Sequence, residues 1–476
     1  MRVLLISTYE LGHQPFGIAS PAAWLRNAGA DVTTTDVALE PLDEPAVSTA
    51  DLICLYVPMH TASRIATSLM PLLRAMNPHA HMCFYGLYAP VNEAFFRRLG
   101  ADTILGGEFE EGLVSVYRQL EAGERQDGPQ PEPVVSLAKQ PFVVPDRSGL
   151  PELAKYAHLV VDGGQRVVGY TEATRGCKHL CRHCPIVPVY GGRFRAVPAD
   201  VVLQDIRQQV AAGAQHITFG DPDFFNGPGH ALPLVRALHD EYPELTYDVT
   251  IKIEHLSKHV GHLATLRATG CLFVTSAVEA VDDHILERFD KRHTRQQFVE
   301  VVAAFREHGM ILAPTFVAFT PWTTARGYMD LLETILELDL VENVAPIQYA
   351  IRLLIPAGSR LLELSEVRDL VGPFDDAALL YRWEHHDATV DALHDDIVAL
   401  VERADADEPR AVTFARVWDL ARDACGIGDG ALDLPAQSVA GAQPTLPHLS
   451  EPWYCCAEPT EQQVCIERFL QTEVAP

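Results

Sequence analysis

Runs of continuous apolar or β-branched residues recur through most of this chain with helix-spaced stretches between them, an alternation that admits few folds. RVLLIS (2–7), DVTTTDV (31–37), DLICLYVP (51–58), HMCFYG (81–86) and DTILGG (102–107) read as buried parallel strands. PAAWLRNAG (21–29), ASRIATSLMPLLRAMN (62–77) and VNEAFFRRLG (91–100) between them carry helical spacing, and two of the three close on glycine. Residues 1–121 are therefore expected to form a doubly wound, Rossmann-like α/β domain of about five parallel strands. Residues 122–160 open with a stretch rich in proline, glycine and charge and read as a linker.

After the linker the alternation resumes at a longer period. Strands are expected at 167–174, 216–221, 247–253, 272–280, 312–319 and 347–356, with helices such as ADVVLQDIRQQVAAG (199–213) between them. Six βα units with right-handed crossovers curl into most of a barrel without closing it, which assigns 161–365 to a partial barrel. Residues 366–425 read as helical, and 426–476 as a flexible segment followed by a cysteine-containing tail.

Bulk numbers narrow the class. The net charge is 37 − 64 = −27 with no long basic run, which argues against nucleic acid or an anionic membrane surface as partner. No window of about 18 uninterrupted apolar residues is present to span a membrane. The start, MRVLLISTYELG, is too short in its apolar run for a signal segment, so a cytoplasmic protein is expected. Ten cysteines in 476 residues make no disulfide scaffold, and clustered cysteines in a reducing compartment bind metal or react. Cys54, Cys83, Cys271 and Cys425 sit in apolar or helical surroundings and read as core residues, while His385 and His386 read as a helical surface.

Two cysteine groups remain. RGCKHLCRHCP places Cys177, Cys181 and Cys184 on the loop after the first barrel strand. Zinc takes four ligands, and with His179 and His183 inside the loop a Cys/His zinc knuckle stays open. The other reading is a cuboidal iron–sulfur cluster, in which three thiolates leave one iron free to chelate a substrate. Near the end, WYCCAEPTEQQVC sets Cys455 and Cys456 side by side ahead of Cys465. A vicinal pair is strained as a disulfide with itself, and three thiols suit a soft centre such as trivalent arsenic, or thiol exchange.

The spacing C-x3-C-x2-C, with Arg175, Gly176 and Pro185 flanking it, resembles the signature of the radical S-adenosylmethionine (SAM) superfamily. That resemblance implies a 4Fe–4S cluster on Cys177, Cys181 and Cys184, SAM on the unique iron, and a one-electron donor of the flavodoxin or ferredoxin type. By the same resemblance TFGDPDFF (218–225) offers Asp221 and Asp223 to the SAM amino group, and TSAVEAVDDHILERFDK (275–291) offers Glu279 and Ser276 to the ribose. Lys252 and Arg352 are the candidates for the SAM carboxylate.

The order of the first domain, with GEFEEGL (107–113) and VPDRSGLPEL (144–153), resembles the cobalamin-binding domain of one radical SAM class, although D-x-H-x-x-G is absent. A corrinoid would then lie against loops 8–17, 58–61 and 86–90. YCCAEP resembles the tail of the CUAEP/CCAEP-tail radical SAM proteins, in some of which selenocysteine takes the first cysteine position, and more loosely that of the radical SAM enzyme of arsinothricin biosynthesis. The combined expectation is transfer of a SAM-derived carbon group to a small-molecule or metalloid acceptor held by Cys455, Cys456 and Cys465. Cobalamin-dependent methylation of a small molecule, and a non-catalytic iron–sulfur or soft-metal-binding protein, are the alternatives.

Overall fold

The computed structural model describes residues 1–123, 134–161, 163–405, 408–427 and 446–451. Five fully parallel strands build the first sheet: β1 (Arg2–Ser7), β2 (Asp31–Asp36), β3 (Leu52–Tyr56), β4 (His81–Tyr85) and β5 (Thr103–Gly107). A two-residue strand, β6 (Val135–Ser136), joins β5 from the linker, giving the order β2-β1-β3-β4-β5-β6. β3 and β5 are buried along their whole length, because helices cover both faces of the sheet. The order reverses between β1 and β3, where sheets of this kind open a crevice at the carboxyl ends of the strands.

The second sheet is a curled half-barrel. Its parallel strands are β8 (Gly164–Thr171), β11 (His216–Phe219), β12 (Thr246–Thr250), β13 (Cys271–Glu279) and β14 (Ile311–Phe316). An antiparallel strand, β7 (His158–Val161), flanks β8, and β17 (His448–Leu449) pairs antiparallel to β7 at the outer edge. A short ribbon of β9 (Thr174–Gly176) and β10 (Phe194–Ala196) brackets the cysteine loop.

The expected sixth strand at 347–356 is a correction. Residues Pro346–Tyr349 form a 3-10 turn, and the only parallel pairing there is an isolated bridge between Phe319 and Arg352. The Gln348 side chain accepts the Phe316 N–H, so a side chain stands where a strand neighbour would begin. The segment after 373 also differs. It opens with a hairpin, β15 (Phe374–Asp375) and β16 (Leu380–Tyr381), turned by Leu379 at φ 58°. The helix starts only at Ala388, with Asp387 capping it, so His385 and His386 precede the helix and His385 is buried.

Arg147 carries the linker into the core between the two domains. Its guanidinium makes two bonds to Asp205, at 2.8 and 2.9 Å, and others to Gln14 Oε1 and Tyr170 O. Both members of the ion pair are buried, so Arg147→Met should strand a buried carboxylate and cost about 3–5 kcal/mol in urea unfolding. Elsewhere Tyr156 reaches from the linker to Asp36, whose carboxyl burial pushes up to about 6 despite hydrogen bonds from Ala38 N–H and the Tyr156 hydroxyl. Between pH 4 and 6 the unfolded carboxyl has ionised while the folded one still holds its proton. Stability therefore falls over that interval by about 3 kcal/mol, at 1.36 kcal/mol per pH unit over about two units. Asp36→Asn should lack this component when denaturant midpoints at pH 4.5 and 7 are compared.

Candidate active site

Gly176 sets the entry to the cysteine loop. It sits at φ 72°, and a Cβ there would come within 2.4 Å of the Tyr190 ring and 2.6 Å of Arg193 O. Only glycine meets both demands. The loop that follows carries Cys177, Cys181 and Cys184, none of them in a disulfide. Burial pushes the Cys177 thiol up to about 12, with neighbouring Asp223 and Cys181 raising it further and Lys252 opposing them. Burial also raises Cys184, and Cys181 and Cys177 raise it more, so the three sulfurs share one neighbourhood. The buried Lys252 and Lys291 face these thiols. Three free thiols beside two buried ammonium groups fit a cluster held by thiolates, since the bound anions would be compensated on the spot.

Glu279 ends β13 in the left-handed region at φ 69°, just after a register shift against β14. A non-glycine residue held there costs about 1–3 kcal/mol, which the surroundings must sustain. They do so by an ion pair and a hydrogen bond: Lys291 Nζ lies 3.1 Å and His183 Nε2 3.0 Å from Glu279 Oε1. Burial alone would raise this carboxyl, but Lys291 and His183 hold it well below the usual range. Burial, with Lys291 and Lys252 nearby, brings His293 down to about 3, so its ring is neutral. His293 is buried, and its ring nitrogens have no well-aligned partner beyond a loose contact with the Val278 backbone. A neutral, loosely held ring beside a carboxylate and two lysines fits a polar cosubstrate such as SAM.

The other expected contacts have partners of their own. Asp221 accepts from Ala173 N and Thr174 Oγ1, at 2.8 and 2.5 Å, and so shapes the turn into the cysteine loop. Asp223 faces His179 and His255. Ser276 is fully buried and donates to Ile251 O at 2.6 Å. Lys252 lies 3.2 Å from Glu254 Oε2. Arg352 pairs with Asp391 at 2.7 Å, donates to Trp383 O, and lies 3.8 Å over the Trp383 ring. Its guanidinium thus packs the segment before the last helices. Cys455, Cys456 and Cys465 lie outside the described residues. Cys54, Cys83 and Cys271 are buried, as their apolar settings suggested, whereas Cys425 is only half-buried.

A cavity of about 190 Å³ lies between the two domains, lined among others by Glu10, Tyr56, Leu87, Phe109, Tyr170 and Glu172. It joins the crevice between β1 and β3 to the mouth of the half-barrel beside Gly176. Arg175 forms one wall, pairing with Glu110 at 2.7 Å and Glu172 at 2.8 Å. Lys291, His293 and Glu10 were not singled out as site residues from the sequence, and His183 was weighed there only as a zinc ligand. The only local signal was the density of charge and histidine in FDKRH (289–293).

Residues 171–322 match the family model described as the radical SAM superfamily. They form a radical SAM domain. Among curated proteins, the tRNA-2-methylthio-N(6)-dimethylallyladenosine synthase of Desulfosudis oleivorans is 27% identical over 201 residues, which cover 40% of this chain and 42% of that protein. The chain thus spans less than half the length of that relative. The structure of OxsB, a cobalamin-dependent SAM radical enzyme with aqua-cobalamin and SAM bound, is similar at TM-score 0.67 and 14% identity, over 89% of this chain and 71% of that one. The radical SAM methyltransferase TsrM from Kitasatospora setae, with cobalamin and a 4Fe–4S cluster bound, is similar at TM-score 0.57 and 16% identity, over 71% of this chain and 73% of that one. At these identities the two structures bear on the fold: a Rossmann-like domain followed by a radical SAM half-barrel.

The Glu279–Lys291 pair gives a direct check on the site. Lys291→Met alone should cost about 3–5 kcal/mol in urea unfolding, because it leaves a buried carboxylate underpaired. The double variant Glu279→Gln, Lys291→Met should recover most of that loss.

Proposed function

We propose that this chain is a radical SAM enzyme that moves a SAM-derived carbon group, with 3-amino-3-carboxypropyl the first candidate, onto a soft acceptor. The acceptor is trivalent arsenic, or a thiol or selenol, held by Cys455, Cys456 and Cys465. A 4Fe–4S cluster on Cys177, Cys181 and Cys184, when bound, supplies the electron that splits a carbon–sulfur bond of SAM. Glu279 and His293 border the place where SAM would lie, and Lys252 and Lys291 balance the charge of the thiolates.

The observation that carries the tail's part in this reading is where the tail begins. β17 is zipped to β7, Ser450 N donates to His158 O at 2.8 Å, and His158 N donates to Ser450 Oγ at 2.9 Å. Glu451 then accepts from the Tyr9 hydroxyl at 2.5 Å and rests on Gly12, where a Cβ would approach the Glu451 Cβ to 2.8 Å. Glu10, Leu11 and His13 of this same loop line the interdomain cavity. Cys455 follows four residues later, a span of at most about 14 Å of chain. Glu451, the last described residue before the tail, is thus held against a loop that lines the cavity, which supports a part for the tail there.

A second reading, cobalamin-dependent methylation of a small molecule, is favoured by the strand order with its crevice between β1 and β3. A corrinoid exceeds the roughly 300–1,000 Å³ of ordinary ligand pockets, and this cavity holds about 190 Å³. Tyr56, Leu87 and Phe109 are the side chains that would have to yield the room.

Anaerobic incubation with dithionite and SAM should release 5′-deoxyadenosine or methylthioadenosine, and Cys181→Ser should release neither. With arsenite as acceptor, a carbon–arsenic product is expected. Its rate should fall about 100-fold in Cys455→Ser, Cys456→Ser while SAM cleavage persists. Unchanged product from that variant would sink the tail's role, and corrinoid absorbance after reconstitution would favour the second reading.

A further inference from the structure

We propose that His179, Asp223 and His255 form a second metal site, for one zinc ion or a similar divalent transition metal, beside the cysteine loop and distinct from its three thiols. The three residues come from three different carboxyl-end loops of the half-barrel. His179 lies between Cys177 and Cys181, Asp223 follows β11, and His255 lies on the helix Ile253–Lys258 after β12. All three are buried, at 7, 1 and 2% exposure.

Their donor atoms converge. One ligand atom from each residue lies within 4.8 Å of the other two. Asp223 Oδ2 lies 3.1 Å from His179 Nε2 and 2.6 Å from His255 Nδ1. An ion with ligands at roughly 2.0–2.1 Å in tetrahedral array spaces its donors by about 3.3 Å, so small adjustments suffice. Both rings converge on the same carboxylate oxygen, and the 2.6 Å approach of His255 Nδ1 lies off the ideal hydrogen-bond direction, as donors gathered around a shared ion would be placed.

The surroundings have the form that supports metal ligands. Asp223 Oδ1 accepts the Phe225 N–H at 3.0 Å, which fixes the carboxylate and leaves Oδ2 to the two rings. His179 presents its other nitrogen, Nδ1, 3.3 Å from Glu254 Oε2, and Glu254 is itself held by Lys252. A carboxylate behind a metal-bound imidazole orients the ring and strengthens its donor nitrogen. Two imidazoles and one carboxylate suit zinc, whereas the thiols next door suit an iron–sulfur cluster. The site stands whether or not the tail acts as proposed above.

Metal counting on the full-length chain tests this. Reconstituted wild type should carry about one zinc per chain in addition to four irons, and His255→Asn should keep the iron and lose the zinc. A second background, with Cys177, Cys181, Cys184, Cys455, Cys456 and Cys465 all changed to serine, removes every competing thiol cluster. It should still bind one equivalent of zinc added as the chloride. Asp223→Asn should abolish that binding, and Glu254→Gln should weaken it about 10- to 100-fold. Far-UV circular dichroism identifies any variant that has not folded, and wild-type zinc anomalous scattering then decides in its place. Zinc that stays in both His255→Asn and Asp223→Asn overturns the proposal, as does a folded all-serine chain that takes up none. The three residues would then be a hydrogen-bonded brace for the loop.

Discussion

The guanidinium of Arg175 is the joint on which this architecture turns. It is fully enclosed, two residues ahead of the first loop cysteine, and lies within 5.4–5.6 Å of the Phe16, Phe109 and Phe142 ring centres. Its partners come from both domains: Glu110 at the start of the helix Glu110–Glu121, Glu108 at 3.6 Å from the loop after β5, and Glu172 from the half-barrel. Three carboxylates around one cation leave an excess of negative charge. The balance is met locally, as Glu110 takes further bonds from Ser20 and Gln140, and burial pushes Glu108 up to about 6 despite Arg175. Desolvated ion pairs of this kind add little net stability but penalise any other arrangement. The position of the cysteine loop relative to the Rossmann-like domain is thereby fixed.

From that joint the site's electrostatics follow. Buried thiols resist ionisation, and here Lys252 and Lys291 are the compensating charges. Lys291 has a second task, since it also neutralises Glu279 at the strained end of β13. One ammonium thus couples the sulfur cluster's neighbourhood to the carboxylate expected near the cosubstrate. A strained backbone at that point makes sense only where a carboxylate must be aimed rather than merely accommodated.

The parallel strands were legible because a strand buried on both faces must be apolar throughout, as LICLY and HMCFY are. The half-barrel's cysteine loop was equally plain, since its spacing is a covalent fact. What escaped the sequence depended on single substitutions of one partner for another. Apolar content alone made 347–356 look like a strand, but the Gln348 amide already occupies the edge it would have paired with. The two-residue strands β6 and β17 are too short to carry periodicity. The protein partners of Asp221, Ser276 and Arg352 are likewise visible only in three dimensions. Lys291 and His293 gained their place only through the fold that returns them to the loop.

β17 has a consequence for the working of the molecule. It holds the base of the cysteine-bearing tail by a ladder two residues long, plus the bonds of Ser450 and Glu451. At about 0.5–1.5 kcal/mol for each hydrogen bond, with Leu449 packed on the cluster around Leu159, that attachment rests on a handful of contacts. The base of the tail is therefore expected to open locally at lower cost than the strands of the half-barrel behind it.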